Sequence, residues 1–369
     1  MKLINEYIEK LIPYKSASHK IWTVPNEERN SILKLDWNES SIAPSPKVAK
    51  RIKKIVDRSD FYNLYPSTLN NQLMNLISSY LELDKDNFRY VDSSDTIHEY
   101  VVKLFLRYKS KVLVLGPTYD NFRLTCETHG STIHYVDYNE DFSFDSANFI
   151  NEISNLKPSL VYICNPNNPT GNTHSKDFIE DLIISFPRTV FLIDEAYVEF
   201  SGLSVKPLVL KYENLIITRT FSKAFALANF RIGLVLASKN NIKYISNIIN
   251  SKNTTTFAQE AAIAVLNDIK YMKKFVAEVL EAKTYFVKSM NRYTSYCDII
   301  NGGGNFVMIK FIDKNEKDEF YNYLISKNIF VRNLTHNIIL NKCLRITIGT
   351  KIQMQKVMSE IDFYFKQKK

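Results

Sequence analysis

Cysteine and long apolar runs are scarce in this sequence, and each shortage excludes a class of protein. Four cysteines occur in 369 residues, and none lies at the short spacing from another that zinc sites and redox motifs use. No apolar run approaches the roughly 18 residues of a membrane-spanning helix. Glu6 and Glu9 interrupt the N-terminal stretch that a signal peptide would keep apolar. We therefore expect a reduced, cytoplasmic protein with no metal site and no membrane contact.

The chain also lacks any block of like charges. Lysine and arginine total 48 against 39 acidic residues, a net charge of +9, but the basic residues are spread along the chain. This pattern argues against a nucleic-acid partner and is compatible with phosphate-bearing ligands. With 45% apolar residues, a chain of this length predicts a large domain and a smaller one.

Short β-branched runs alternate with helical patterns between about residues 90 and 240, which is typical of βαβ units and a mainly parallel sheet. Six strands are predicted in this region, at 111–115, 132–136, 160–164, 190–194, 215–218 and 232–237. Helices are predicted at 66–83, opened by Pro66, at 94–108, at 258–290 as one or two long helices, and at 318–326, followed by a C-terminal helix. Further strands are predicted at 306–311, 330–332 and 344–348.

Polar side chains follow two of these strands directly. The segment NPNNPTG (165–171) comes after one strand, and DEAY (194–197) closes the next. The first is a rigid turn with amide donors, although a plain tight loop would have the same composition. A carboxylate such as Asp194 at the end of a buried strand needs a positive partner. A protonated ring nitrogen, a structural arginine or a metal would each serve.

Two later segments carry basic residues next to predicted strands. TFSK (220–223) is followed by Arg231, and an isolated pair of this kind is often only a solvated surface patch. Between buried strands, however, its hydroxyls and the arginine can bind a dianionic phosphate, which leaves the Lys223 amine to form an imine. In LRITIGT (344–350), Arg345 lies in an apolar strand, so we expect it to face a carboxylate of the protein or of a substrate.

In this order, NPNNPTG, DEAY, TFSK with its downstream arginine, and LRITIGT resemble the fold-type I pyridoxal-phosphate enzymes, and within them the class I/II aminotransferases related to histidinol-phosphate aminotransferase. The resemblance runs from about Leu35 to Thr350. It implies an α/β, aspartate-aminotransferase-like fold whose large domain, residues 33–250, holds a mostly parallel seven-stranded sheet. Residues 1–32 and 251–369 would form a smaller α+β domain, and the protein would be a homodimer with shared active sites.

The resemblance also implies roles for single residues around the cofactor, pyridoxal 5′-phosphate. Lys223 would carry the cofactor as a Schiff base and move the substrate proton, while Asp194 would keep the pyridine nitrogen protonated. Tyr197 and Asn168 would bind the phenolic oxygen, and Tyr119 would stack on the ring. The phosphate would be bound by Thr220, Ser222, Arg231, the backbone amides near Ser94 and Asp95 at a helix N-terminus, and Tyr65 of the neighbouring subunit.

Substrate identity is where the chain departs from its relatives. Histidine-pathway enzymes usually read Asn-Glu-Asn-Pro where this chain has NESS (38–41), which indicates a specialised relative. Arg345 matches the arginine for a substrate α-carboxylate. Arg332 matches one for a distal anionic group, with an ordinary surface arginine as the equally weighted alternative. We expect an amino acid donor, taken to be glutamate, and a small keto or aldehyde acceptor such as a phosphate ester.

Two other functions remain open at this point. A phosphoamino-acid decarboxylase could use the same lysine, aspartate and arginine on the same scaffold, because the reaction type depends on which Cα bond stands perpendicular to the cofactor ring. A cofactor-binding regulator without enzymatic activity is a further alternative, but such regulators usually carry an additional DNA-binding domain, and the chain has no room for one.

Overall fold

The computed structural model describes residues 3–14, 20–29, 31–335 and 337–368. Its strands are β1 (Leu33–Leu35), β2 (Phe88–Val91), β3 (Lys111–Gly116), β4 (Thr132–Asp137), β5 (Leu160–Cys164), β6 (Val190–Asp194), β7 (Leu215–Thr220), β8 (Gly233–Ala237), β9 (Cys297–Ile300), β10 (Phe306–Phe311), β11 (Ile329–Asn333) and β12 (Cys343–Thr347).

The α-helices are α1 (Glu6–Glu9), α2 (Lys20–Thr23), α3 (Asn26–Arg29), α4 (Pro46–Val56), α5 (Asn71–Leu81), α6 (Ser94–Phe105), α7 (Asn121–Glu127), α8 (Ser146–Leu156), α9 (Lys176–Ser185), α10 (Val198–Ser201), α11 (Lys239–Ile248), α12 (Thr256–Leu266), α13 (Ile269–Met290), α14 (Lys314–Ser326) and α15 (Lys351–Lys366). Within the described ranges, no helix combines the length and the apolar composition needed to span a membrane.

Seven strands form the main sheet, in the order β2-β8-β7-β6-β5-β3-β4. The pairs from β7 to β4 are parallel, and β8 runs antiparallel to both of its neighbours. Every residue of β5, β7 and β8 is buried, as expected for strands covered on both faces. Cys164 pairs with Asp194, and Asp194 pairs with Thr218. The carboxyl ends of β5, β6 and β7 therefore meet at one edge of the sheet, where open α/β sheets bind ligands.

The predicted α/β fold with a mostly parallel seven-stranded sheet is confirmed, and its six predicted strands agree with the structure to within two residues at each end. The seventh strand, β2, escaped prediction because it is short and includes Arg89 among apolar residues. The prediction that Pro66 opens a helix was wrong. That helix, α5, begins at Asn71 because the Asn70 side chain accepts the backbone N–H of Leu73 at 3.1 Å and caps it.

The second sheet has the order β1-β11-β12-β10-β9. Its first strand, β1, comes from the N-terminal part of the chain and pairs in parallel with β11, with Leu35 opposite Val331. This pairing places the residues that follow β1 beside those of β11 and β12. We propose that the two sheets mark the two domains predicted from the sequence, with β1 assigned to the smaller one although it lies inside the range 33–250.

Candidate active site

One large cavity is lined by residues of both sheets, and its volume of about 1490 Å³ exceeds the roughly 300–1,000 Å³ of typical small-molecule sites. It therefore has room for a cofactor and a substrate together. The structure brings all the predicted site residues except one into its lining, namely Ser94, Asp95, Tyr119, Asn168, Asp194, Tyr197, Thr220, Ser222, Lys223, Arg231, Arg332 and Arg345.

The exception is Tyr65, which lies outside the lining of this cavity. Its side chain is 79% exposed, and the Lys252 ammonium lies 4.7 Å from its ring centre. Tyr62, Leu64 and Leu69 nearby are also more than half exposed. Tyr65 was predicted to act in a neighbouring subunit, and that role stays a prediction.

Lys223 follows β7 and points its amine into the cavity. The Nζ atom donates a hydrogen bond to the Trp37 carbonyl at 3.0 Å and lies 5.9 Å from the ring centre of Tyr197. Burial, with a contribution from the positive charge of Arg345, lowers the pKa of Lys223 to about 8. A lowered pKa increases the fraction of neutral amine at physiological pH, which is the form that attacks a carbonyl.

Asp194 is 3% exposed at the end of β6 and is held by two donors. The Tyr162 hydroxyl donates to its Oδ2 at 3.0 Å, and the backbone N–H of Ala196 donates to its Oδ1 at 3.1 Å. The fully buried His98 places Nε2 3.7 Å from Oδ2. Sequence reasoning missed Tyr162 and His98, because each lies at an inward position of a strand or helix where a core residue is the default.

Small residues and hydroxyls surround the N-terminus of α6. The Thr220 and Ser222 hydroxyls lie 2.9 Å apart at the end of β7, and Ser94 and Asp95 open the helix. A Cβ atom at Gly233 would come within 2.7 Å of the Ser93 and Ser94 backbone, so only glycine lets β8 approach this helix end. Unpaired N–H groups at a helix N-terminus attract anions, so this corner suits a phosphate group.

Arg231 and Tyr119, two predicted cofactor ligands, both contact the Asp95 carboxylate at the edge of the same corner. Arg231, whose φ of 51° is left-handed, donates from Nη2 to Asp95 at 3.1 Å. The Tyr119 hydroxyl donates to the other carboxylate oxygen of Asp95 at 2.9 Å. Asp95 thereby orients both an arginine and an aromatic ring toward the cavity. This function of the carboxylate was not predicted, since only the backbone amide near Asp95 was expected to matter.

Two arginines stand side by side on the opposite wall. Arg332 of β11 pairs directly with Arg345 of β12 across the antiparallel ladder. Arg345 donates to the Asn168 side chain and, at 2.6 Å, to the Asp36 carbonyl, while its buried Nε has no hydrogen-bond partner among the described residues. Burial lowers the pKa of Arg345. Like charges placed opposite each other are unfavourable unless an anion lies between or beside them.

These groups fit pyridoxal 5′-phosphate. Its aldehyde, protonated pyridine nitrogen and phosphate require an amine, a carboxylate and an anion site, and the cavity offers Lys223, Asp194 and the corner at α6 for them. The buried Nε of Arg345 leaves a donor for a further anion. The residues present therefore match the cofactor, and Arg332 and Arg345 line the same cavity.

Comparison with known proteins agrees with this geometry. Residues 30–361 match the family model "Aminotransferase class I and II". The chain is 42% identical to dihydroxyacetone phosphate transaminase of Campylobacter jejuni over 98% of this chain and 97% of the relative. It is 33% identical to histidinol-phosphate aminotransferase of Ruminiclostridium cellulolyticum, again over 98% and 97%.

The crystal structure of histidinol-phosphate aminotransferase from Sinorhizobium meliloti in complex with pyridoxal 5′-phosphate superimposes with a TM-score of 0.85 and 22% identity, over 97% of this chain and 96% of that chain. That likeness supports the fold. Together with the sequence matches, it shows that the chain belongs to the class I and II aminotransferases and is a transaminase that depends on pyridoxal 5′-phosphate.

Proposed function

We propose that this transaminase moves an amino group from an α-amino acid donor, which we take to be glutamate, to a small ketone that carries a phosphate group. The observation that supports this most directly is the pair Arg332 and Arg345, which are adjacent across β11 and β12 and line the cavity together with Lys223. Arginine binds carboxylate and phosphate through two parallel hydrogen bonds. Two such groups suit a substrate pair with two anionic ends.

The proposed roles of the cofactor-side residues follow from their positions. The cofactor supplies an electron sink for the charge that develops at the substrate Cα. Lys223 would hold the cofactor covalently until the amine of the substrate displaces it, and the released neutral amine, whose pKa is lowered to about 8, would then take the proton from the substrate Cα. Asp194, fixed by Tyr162, keeps the pyridine nitrogen protonated. Tyr119 stacks on the ring, and Tyr197 and Asn168 bind its phenolic oxygen.

The phosphate of the cofactor is proposed to lie at the N-terminus of α6. Thr220, Ser222 and Arg231 offer hydroxyl and guanidinium donors there, and the first residues of the helix, Ser94 and Asp95, offer backbone N–H groups. Arg231 already points its guanidinium toward this corner through its bond to Asp95 at 3.1 Å. A dianion at this place interacts favourably with the helix dipole as well.

We further propose a cytoplasmic homodimer in which Tyr65 reaches the phosphate of the partner's cofactor. The exposed apolar side chains at Tyr62, Leu64 and Leu69 support an interface at this place, because a run of exposed apolar residues is typical of a surface covered in the assembly. Tyr65 extends from the same run and stands away from the cavity of its own subunit.

The relative from Campylobacter jejuni is named for dihydroxyacetone phosphate, and that compound fits the proposed acceptor class because it is a ketone of three carbons with one phosphate. The α-carboxylate of glutamate would bind Arg345, and the phosphate of the acceptor would bind Arg332. The acceptor lacks a carboxylate, so the two arginines would be used by different substrates in the two half-reactions.

The proposal can be tested by following the two half-reactions separately through the absorbance of the bound cofactor. Glutamate should convert the enzyme to its amino form with release of 2-oxoglutarate, and dihydroxyacetone phosphate should convert it back. Unphosphorylated dihydroxyacetone is the matched control and should react far more slowly. Equal rates with both ketones would contradict a phosphate-binding acceptor site.

The same experiment distinguishes a decarboxylase. A phosphoamino-acid decarboxylase would release carbon dioxide from phosphothreonine or phosphoserine and would leave the cofactor absorbance unchanged after each turnover. Release of carbon dioxide without formation of the amino form of the enzyme would replace the proposed transfer by that reaction.

A further inference from the structure

The hydroxyl of Tyr197 is part of a buried hydrogen-bond network that the cofactor roles above leave unexplained. Asn38, fully buried after β1, donates from Nδ2 to the Tyr197 hydroxyl at 3.1 Å. Its backbone N–H donates to the Thr347 hydroxyl at 3.0 Å, and its backbone carbonyl accepts from the Asn305 side chain at 3.1 Å. Three segments distant in sequence therefore converge on one asparagine.

The conformation of Asn38 is unusual for a residue with a side chain. Its φ of 54° is left-handed, a region that asparagine tolerates better than most residues but still at a cost. In this conformation the backbone N–H and the side-chain Oδ1 both face Thr347. The left-handed backbone thus places the side-chain Oδ1 toward Thr347 and Nδ2 toward Tyr197.

The direction of each hydrogen bond follows from the donors present. The backbone N–H of Asn38 can only donate, so the Thr347 oxygen accepts it, and the Thr347 hydroxyl proton then goes to Oδ1 of Asn38 at 3.1 Å. The reversed amide would leave that proton without an acceptor among the described residues, at a side chain that is 1% exposed. A buried donor without a partner is costly. The orientation with Nδ2 toward Tyr197 is therefore the favoured one.

An accepted hydrogen bond decides where the proton of a hydroxyl can point. Because Tyr197 accepts from Asn38, its own single proton has to leave in another direction. Among the described residues, no acceptor for this proton lies within hydrogen-bond distance, and Tyr197 lines the cavity beside Lys223. If Tyr197 instead donated its proton to Asn38, the lone pairs of the Tyr197 oxygen would face the negatively charged phenolic oxygen of the cofactor.

We propose that Asn38 is a positioning residue that, with its amide fixed by Thr347, directs the hydroxyl proton of Tyr197 to the phenolic oxygen of the cofactor. This inference rests on the role proposed above for Tyr197. Asn38 itself need not touch the cofactor or the substrate. It acts by fixing the polarity of one hydrogen bond before the cofactor arrives, so Tyr197 needs no rearrangement to donate.

The pH titration of the cofactor's visible absorbance tests this without any substrate. A hydrogen bond to the phenolic oxygen favours its charged form and lowers the pH midpoint of the covalent link. Tyr197→Phe should raise the midpoint by about one to two units, since a hydrogen bond to a charged group is worth about that much. Asn38→Ala should raise it by at least roughly half a unit, because Tyr197 is then free to turn.

A double mutant identifies the route of the effect. If Asn38 acts through Tyr197, Asn38→Ala should cause no further shift in the Tyr197→Phe background. Thr347→Val, which removes the group that fixes the amide, should shift the midpoint in the same direction, and Thr347→Ser is the matched control that should not. If the Asn38→Ala variant binds no cofactor, the comparison of Thr347→Val with Thr347→Ser still tests the proposal.

The proposal would be overturned if Asn38→Ala shifted the pH midpoint equally in the wild type and in the Tyr197→Phe variant. It would also be overturned if neither Asn38→Ala nor Thr347→Val shifted the midpoint. Because the titration needs bound cofactor only, a failure of the proposed donor or acceptor leaves this outcome unchanged. Failure of the half-reactions in the wild type, combined with the expected midpoint shifts in the Asn38 and Thr347 variants, would refute the proposed substrates and keep the positioning role.

Discussion

The cavity has two walls, one at the ends of β5, β6 and β7 and the other on β11 and β12. On the first wall, the Asp194 carboxylate is held by donors of the protein, the Tyr162 hydroxyl and the Ala196 backbone N–H. On the second wall, the buried Nε of Arg345 has no hydrogen-bond partner within the part of the chain that the structure describes, and Arg345 pairs with Arg332 across the ladder. The proposed cofactor wall thus has its carboxylate held in place by the protein, whereas the proposed substrate wall keeps one buried donor that an anion can use.

The largest effect on activity is expected from a change on the cofactor wall, at Lys223. Lys223→Ala should abolish the covalent link to the cofactor and reduce turnover by at least roughly 10³-fold, because the variant would lose both the amine that we propose binds the cofactor and the base that we propose moves the substrate proton. Borohydride treatment followed by mass spectrometry should locate the cofactor on residue 223 of the wild type and nowhere in the variant.

Lys34→Ala is the matched control for that experiment. Lys34 also lines the cavity but forms an ion pair with Asp36 at 3.0 Å, and its loss should leave the covalent link in place. If the Lys223→Ala variant still trapped the cofactor covalently after reduction, another amine of the protein would have to be the attachment site.

An intermediate effect is expected on the substrate wall. Arg345→Ala should raise KM for glutamate by at least about thirtyfold and Arg332→Ala should do the same for the phosphorylated ketone, since removing one member of a buried charged pair costs about 2–5 kcal/mol. Neither change should alter the absorbance of the enzyme before substrate is added. Single-turnover measurements of each half-reaction would separate the two arginines.

Arg123→Ala supplies the matched arginine control, because Arg123 lines the cavity but is already paired with Asp120 at 2.8 Å. Its loss should affect both half-reactions little. Similar losses in both half-reactions from Arg332→Ala would show that the two arginines act on the same substrate, and the division of the wall between donor and acceptor would be given up.

The smallest expected effect is on the pKa of Lys223, which the charge of Arg345 on the other wall helps to lower. Only the neutral amine of Lys223 attaches to the cofactor, so the attachment rate of the cofactor-free protein should rise with pH and level off above about 8, the pKa to which burial lowers this lysine. An ordinary lysine would keep gaining reactivity toward a pKa near 10.4. Because the positive charge of Arg345 contributes to the lowering, Arg345→Ala should move the midpoint to higher pH.

Stopped-flow absorbance after mixing with the cofactor measures this profile. Arg332→Ala serves as the comparison, because Arg345 is the largest cause of the lowered Lys223 pKa after burial. A midpoint that remains near 8 in Arg345→Ala would mean that burial alone sets the reactivity of Lys223.

The cofactor wall could be predicted from the sequence because its residues sit where short apolar strands end. Asn168, Asp194 and Lys223 each follow a run of buried residues, and parallel strands bring such ends together. Tyr162 and His98 could not be found in this way, because an aromatic or histidine inside a strand or helix looks like core. The contact of Tyr162 with Asp194 depends on the pairing of β5 with β6, and that of His98 depends on the packing of α6 against the sheet.

The substrate wall depends on contacts between distant parts of the chain. Asn38 and Thr347 are 309 positions apart, and no local pattern connects them. The pairing of β1 with β11 was likewise invisible in the sequence, because β1 spans three residues, Leu33–Leu35, which is too short to show alternation. Arg332 and Arg345 were predicted singly, but their direct pairing across the ladder emerged only from the register.

The loop that follows β5, residues 165–171, meets the connection between β9 and β10 of the second sheet at Gly171 and Gly302. A Cβ atom on Gly171 would lie 2.9 Å from the Cα of Gly302, and the Gly303 N–H donates to the Gly171 carbonyl at 2.7 Å. The buried ammonium of Lys283 bonds to the Gly302 and Gly304 carbonyls on the other side.

This junction brings the two backbones as close as unsubstituted Cα atoms allow, and any side chain at Gly302 would force them apart. The spacing between the loop that carries Asn168 and the sheet that carries Arg345 is therefore set partly by the size of a hydrogen atom. A relative that evolves toward bulkier substrates has to enlarge its cavity elsewhere along the lining, since this junction offers no side chain to shorten.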